Sequence, residues 1–446
     1  MNSKFIFRSI LAVAVVAAAS CKPDLKTITP SKGTADFSRY IAVGNSLTSG
    51  FADNGLYLEG QQNSFPLMIA TQMQAVGGGT FSTPFFNANQ ADGTGHMSLT
   101  GFTTPTPPLP ADPIITNVPA QAVIGSVTVP GFGTVPLFTK YTGDLNNYGV
   151  PGIRLNHITL TYYGNVNPYF ERLLPNTSPA NTTPYLSFVT AKPFTFFSMW
   201  LGNNDVLGYA TGGAATAADL PTDKALFTQL YNLAAGTLVK GGTGGTGAKG
   251  VVATIPDVLS TPYFTTVTIN AILAKVNVAN PTANAKAVFI QPGTGSPRAA
   301  TAADYLLLTL SSANIIGKPN AAGQPYGLDP RNPVESKYVL DQAEAAVIVD
   351  YTNSYNATIK SVAAANGLAL FDANALFKSY AAGREVNGAV VSAAYITGNL
   401  FSLDGIHLTP IGYSIVANEF IKSINSQYGS SIPTVDVTKY RGVKFP

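Results

Sequence analysis

Three histidines, His96, His157 and His407, are the candidate general bases that this chain offers near neutral pH. His407 stands apart because Asp404 precedes it by three residues in "LDGIHLTP", just ahead of a helix signal. A carboxylate at that spacing on a loop can reach imidazole Nδ1, fix the tautomer and stabilise the charged ring. His96 lies in the glycine-rich "DGTGHMS", and His157 lies in "IRLNHITL" with no carboxylate nearby. Such a base needs a nucleophile. Ser46 in "YIAVGNSLTSGF" sits where a short apolar run gives way to small and polar residues. Taken alone, a serine at a strand-to-helix junction is more often an N-cap than a nucleophile.

Acyl transfer also requires donors aimed at the developing oxyanion. "NNYGVPGIRL" puts Gly149 and Gly152 in a tight turn, where backbone N–H groups can approach a ligand. "MWLGNNDVLGYA" puts Gly202, Asn203, Asn204 and Asp205 directly after an apolar run, and an asparagine amide there can serve the same oxygen. Each stretch by itself reads first as turn glycines and capping residues, and only second as a donor site.

The elements that would position these residues alternate. Strand signals at Tyr40–Val43, "PFTFFSMWLG", "GVVATIPDV" and "LALFDANALF" are separated by helical patterns. The helical segments are Ser64–Val76, "ALFTQLYNLAAGTLVKG", the long "ESKYVLDQAEAAVIVDYTNSYNATIKSVAAANG" and a final one opening at Thr409-Pro410. Alternation of this kind predicts a parallel sheet with helices on both faces, and ligands then bind beyond the carboxyl ends of its strands. Ser46 and the Gly202–Asp205 stretch directly follow predicted strands, and His407 stands just before the final predicted helix. Residues 81–144, rich in Pro, Gly and Thr, read as an insertion of loops and hairpins. Residues 265–330 form a second insertion, and both are expected to shape the substrate cleft.

In chain order, "GNSL", "NYGVPG", "GNND" and "DGIH" resemble the four blocks of the GDSL or SGNH hydrolase family. The resemblance spans about Phe37 to Tyr428. It implies a three-layer α/β/α sandwich around a central parallel sheet, flavodoxin-like, and a serine ester hydrolase of lipase or esterase type. Carried over, the nucleophile is Ser46, the base His407 and the orienting acid Asp404. The oxyanion hole comprises the backbone N–H groups of Ser46 and Gly152 and the Asn204 side chain. The family places Asp before the serine where this chain has Asn45. No metal or organic cofactor is implied, and the α/β-hydrolase signature G-x-S-x-G is absent around Ser46. The alternative from another class is a non-catalytic surface lipoprotein binding glycans or lipids on the same scaffold.

Bulk properties narrow the partners. Of 446 residues 46% are hydrophobic and 11% charged, which suits one large core with long insertions. "MNSKFIFRSILAVAVVAAAS" reads as a signal peptide over residues 1–20, ending at Cys21, the chain's single cysteine. That pattern resembles a bacterial lipoprotein signal, with Cys21 lipidated and residues 21–36 a tether to a domain spanning 37–446. The expected location is the outer membrane or surface of a Gram-negative bacterium, and the expected substrate is a small-molecule, lipid or acylated-glycan ester. With Lys4 and Arg8 in the leader, 24 basic residues face 23 acidic ones and form no cluster, which excludes a nucleic-acid footprint. "KGGTGGTGAKG" lacks the Gly-Lys-Ser/Thr ending of a phosphate loop and reads as a linker.

Overall fold

A computed structural model describes residues 29–216 and 219–446. The segment read as a signal peptide and Cys21 lie outside the described residues. The architecture is a three-layer α/β/α sandwich. Its sheet comprises β1 (Tyr40–Gly44), β2 (Asn147–Gly149), β3 (Phe196–Trp200), β4 (Lys249–Ala253) and β5 (Ala369–Phe371). All pairings are parallel, and the spatial order is β5-β4-β3-β1-β2. The order reverses between β1 and β3, so the crevice at a doubly wound sheet's switch point opens beside the end of β1.

Alternation along the strands divides the core in two. Ile41, Val43, Phe197, Met199 and Val252 face one layer, where they meet α3 (Asn204–Thr211), α4 (Lys224–Leu238) and α5 (Gln342–Ala365). Tyr40, Ala42, Phe196, Trp200 and Val251 face the other. There they meet α2 (Phe65–Met73), α6 (Ala373–Ser379) and α7 (Pro410–Tyr428). Because both faces are covered, the strands are near-continuous apolar runs, and all five residues of β1 and of β3 are buried.

Several boundaries differ from the sequence expectation. Ser64 holds the N-cap position of α2, but its side chain makes no capping bond. Helix α5 begins at Gln342, after Val339–Leu340 have paired with Tyr305–Leu306. A capping box between Asp341 and Glu344 sets that start. "LALFDANALF" is half strand and half helix, the break falling at Asp372, whose carboxylate accepts from Ala375 N–H. Residues 31–35, read as the end of a tether, lie against the C-terminus of α7. Thr34 N–H donates to the Tyr428 carbonyl at 2.9 Å, and Ala35 is buried in the core.

Within residues 81–144 two antiparallel hairpins pair His96–Phe102 with Pro113–Val118 and Val123–Val129 with Gly133–Phe138. Residues 265–340 add a helix, Ile269–Ala279, over a small core of Val288, Ile290, Leu306, Leu310 and Val334. No helix among the described residues is long and apolar enough to cross a membrane.

Candidate active site

Ser46 begins α1 (Ser46–Ser49) directly after β1. The cap of that short helix is Asn45, whose Oδ1 accepts the Leu47 N–H at 3.1 Å. The capping function considered for Ser46 therefore belongs to its neighbour. The hydroxyl is left for another partner, and Ser46 Oγ lies 2.8 Å from His407 Nε2. His407 Nδ1 lies 2.8 Å from Asp404 Oδ2. With Nδ1–H donating to the carboxylate, Nε2 presents a lone pair to the Ser46 hydroxyl. The geometry supplies a continuous hydroxyl–imidazole–carboxylate relay.

Asp404 is tightly held. Its Oδ1 accepts the N–H groups of Ile406 at 2.9 Å and His407 at 2.8 Å, with Ser402 Oγ–H at 3.2 Å. Its Oδ2 also accepts Asn54 N–H at 2.8 Å. Burial alone would raise this carboxyl. The facing His407 and these hydrogen bonds outweigh burial and keep it well below the ordinary carboxylate range. It is therefore ionised wherever His407 needs it.

The donors sit across the crevice. Gly149 ends β2 against α1, where a Cβ would stand 2.4 Å from Ser49 N, so only glycine permits this approach. Gly152 follows with φ +79, the left-handed region that glycine occupies freely. The backbone N–H groups of Ser46 and Gly152 donate to no acceptor among the described residues. For Ser46 this follows from its place in the first helical turn. Asn204 opens α3, and its Nδ2 donates to the Ile153 carbonyl at 2.9 Å, which leaves the second amide hydrogen available. Asp205 secures this corner by accepting Leu155 N–H at 2.8 Å and Thr222 Oγ–H at 2.6 Å.

A cavity at the sheet's carboxyl end is lined by Ser46, His407, Asn45, Asn203 and Asn204, with Leu207 and other apolar side chains around them. Asn45 Nδ2 and both side-chain polar atoms of Asn203 are buried there with no hydrogen-bond partner among the described residues. A larger groove between α5, α6 and α7 contains none of the relay residues.

The other histidines are elsewhere. His157 stacks on Tyr163 and accepts Arg154 N–H through Nδ1, and burial pushes its pKa down to about 4. His96 stacks on Tyr57, with Nδ1 2.9 Å from the Met97 carbonyl oxygen.

One residue escaped the sequence reading. Ala52-Asp53-Asn54-Gly55 closes a two-residue turn with φ +52 and +60 at its centre. Asp53 N–H donates to Ser402 Oγ, its carboxylate accepts Leu403 N–H at 2.9 Å and Tyr57 O–H at 2.7 Å, and Asn54 N–H reaches Asp404. The turn thus ties the serine loop to the histidine loop. Its signal was present: Asp-Asn-Gly between apolar residues marks a turn that needs left-handed φ at both central positions.

No family model and no curated protein matches the chain. Among solved structures it is similar to the extracellular lipase of Streptomyces rimosus. The identity is 12%, over 87% of this chain and 99% of that one, with a TM-score of 0.35. Phospholipase A1 from Streptomyces albidoflavus NA297 matches at 12% identity over 88% and 100%, also at 0.35. LAE5, an α/β hydrolase enzyme from the Lake Arreo metagenome, matches at 10% over 88% and 97%, at 0.36. Likeness this slight carries over neither an activity nor a residue's role.

Proposed function

We propose that the chain is a serine hydrolase of carboxylic esters, and the relay from Ser46 through His407 to Asp404 is the observation that carries the reading. Ser46 Oγ attacks the ester carbonyl carbon while His407 Nε2 takes its proton. The carbonyl oxygen, now an oxyanion, accepts the free N–H groups of Ser46 and Gly152 and the second amide hydrogen of Asn204. The intermediate collapses, the alcohol leaves with the proton from Nε2, and an acyl-serine remains. Water, losing its proton to His407, then attacks that acyl group and releases the acid and free Ser46.

Asp404, ionised throughout, holds the imidazole and its positive charge. The order and surroundings of the four sequence blocks support the same reading, which extends to the SGNH family. Anchoring through a lipid on Cys21, at the outer membrane or cell surface, belongs to this proposal and rests on the leader sequence alone.

The test is a panel of esters assayed with wild type beside Ser46→Ala. Hydrolysis that disappears in the variant supports the reading. Turnover persisting at the wild-type rate excludes Ser46, and a wild type inert on every ester favours the non-catalytic binding protein. For the anchor, labelling with a fatty acid should be lost in Cys21→Ser, and label that persists removes the claim.

A further inference from the structure

We infer that Phe51 is a positioning residue for His407, holding the imidazole by its face while Asp404 holds it by its edge. The inference goes beyond the relay and rests on the hydrolase reading above. The two ring centroids lie 4.6 Å apart, with their planes at 48°. Phe51 is not among the residues that line the cavity containing Ser46, so its ring meets the histidine from outside the substrate space.

Two effects follow from this contact. When Ser46 attacks, its proton moves to Nε2, and the hydrogen bond that located the ring is exchanged for one with the departing alcohol. Asp404 holds only one nitrogen through that exchange, and an aromatic face beside the imidazole limits its rotation. The imidazole is also positively charged at that moment. An aromatic ring whose centroid lies within about 6 Å of a cation attracts it through the ring quadrupole, and attracts the neutral form far less. The contact is thus stronger in the charged intermediate than in the resting enzyme, which is the condition for raising kcat.

Phe51 is itself held in place. Helix α1 ends at Gly50, whose φ of +82 turns the chain back, and a Cβ there would collide with the Gly60 carbonyl oxygen. Phe51 N–H then donates to the Ser46 carbonyl at 3.0 Å, and its own carbonyl accepts Tyr413 O–H at 2.5 Å. Behind the ring stands a small core of Leu56, Phe86 and Ala122, with Tyr169 edge-on at 6.1 Å and Phe138 5.3 Å from Tyr169. Phe86, Ala122 and Phe138 belong to the 81–144 insertion. That insertion therefore backs His407 through Phe51.

The experiment measures kcat and KM on the 4-nitrophenyl ester that the wild type hydrolyses fastest. Phe51→Leu keeps apolar bulk without the aromatic face, and Phe51→Tyr keeps the face. We expect Phe51→Leu to lose about tenfold in kcat with KM unchanged, inside the roughly two- to thirtyfold span of a cation–aromatic contact. Phe51→Tyr should regain most of that loss. Phe51→Met takes the place of Phe51→Leu if thermal melts show that the latter does not fold. Wild-type kcat in the folded Leu or Met variant overturns the inference and leaves the hydrolase reading standing. A loss confined to KM, or a loss as large in folded Phe51→Tyr, also overturns it. A wild type inert on every ester overturns both.

Discussion

The two sides of the crevice are built on opposite terms. On the histidine side, Asp404 accepts five hydrogen bonds, from Asn54, Ser402, Ile406 and twice from His407, and little polar capacity is left over. On the asparagine side, the backbone N–H groups of Ser46 and Gly152 donate to no acceptor among the described residues, and Asn203 is buried with neither end of its amide paired among them. Buried polar groups are ordinarily satisfied, so a cluster of exceptions needs a cause. On the proposed reading the difference separates two tasks: one side fixes a proton path in advance, and the other waits for an oxygen that the substrate brings.

Breaking the satisfied side should have the largest effect. His407→Ala should lower kcat by about 10⁶-fold and Asp404→Asn by about 10⁴-fold, each with little change in KM, measured as steady-state ester hydrolysis. On the open side, Asn204→Ala should cost about 10²–10³ in kcat, as for loss of one oxyanion donor. A drop confined to KM would instead make Asn204 a binding residue.

The Asp53 turn, which joins the serine and histidine loops, sharpens the contrast. Asp53→Gly keeps the left-handed backbone but removes the carboxylate. It should lower kcat about ten- to a hundredfold through misplacement of His407, while Asp53→Asn recovers most of the loss. A folded Asp53→Gly with full kcat would show that the tie positions nothing.

The smallest effect concerns a histidine outside the relay. His157 has a folded pKa of about 4 because of burial and the nearby Arg154 charge. Its unfolded value is about 6.5. As pH falls from about 6.5 to 4, the unfolded chain takes up the proton first, so stability is lost over that interval and levels off below it. Thermal melts of His157→Phe should show a shallower decline of Tm across this window.

Much of this architecture was legible because long apolar runs and helical periodicity dominate β1, β3, β4, α4 and α7. Three of the four blocks were legible from their place, "GNSL" and "GNND" after apolar strand runs and "DGIH" before a helix start, whereas "NYGVPG" was legible only from its glycines. Three features were hidden for physical reasons. The start of α5 depended on one Asp–Glu capping pair inside a longer apolar pattern. The shared cap at Asn45 and Ser46 could be divided only by coordinates, since either side chain can accept the same N–H. The Asp53 turn makes its contacts with residues about 350 positions away, beyond the reach of any local pattern.

The most direct test of the central claim is covalent labelling by an organophosphonate, followed by peptide mass spectrometry. The account predicts one adduct, on Ser46, its formation slowed by orders of magnitude in His407→Ala and abolished in Ser46→Ala. An adduct on another residue, or labelling of Ser46 at the same rate without His407, would contradict it.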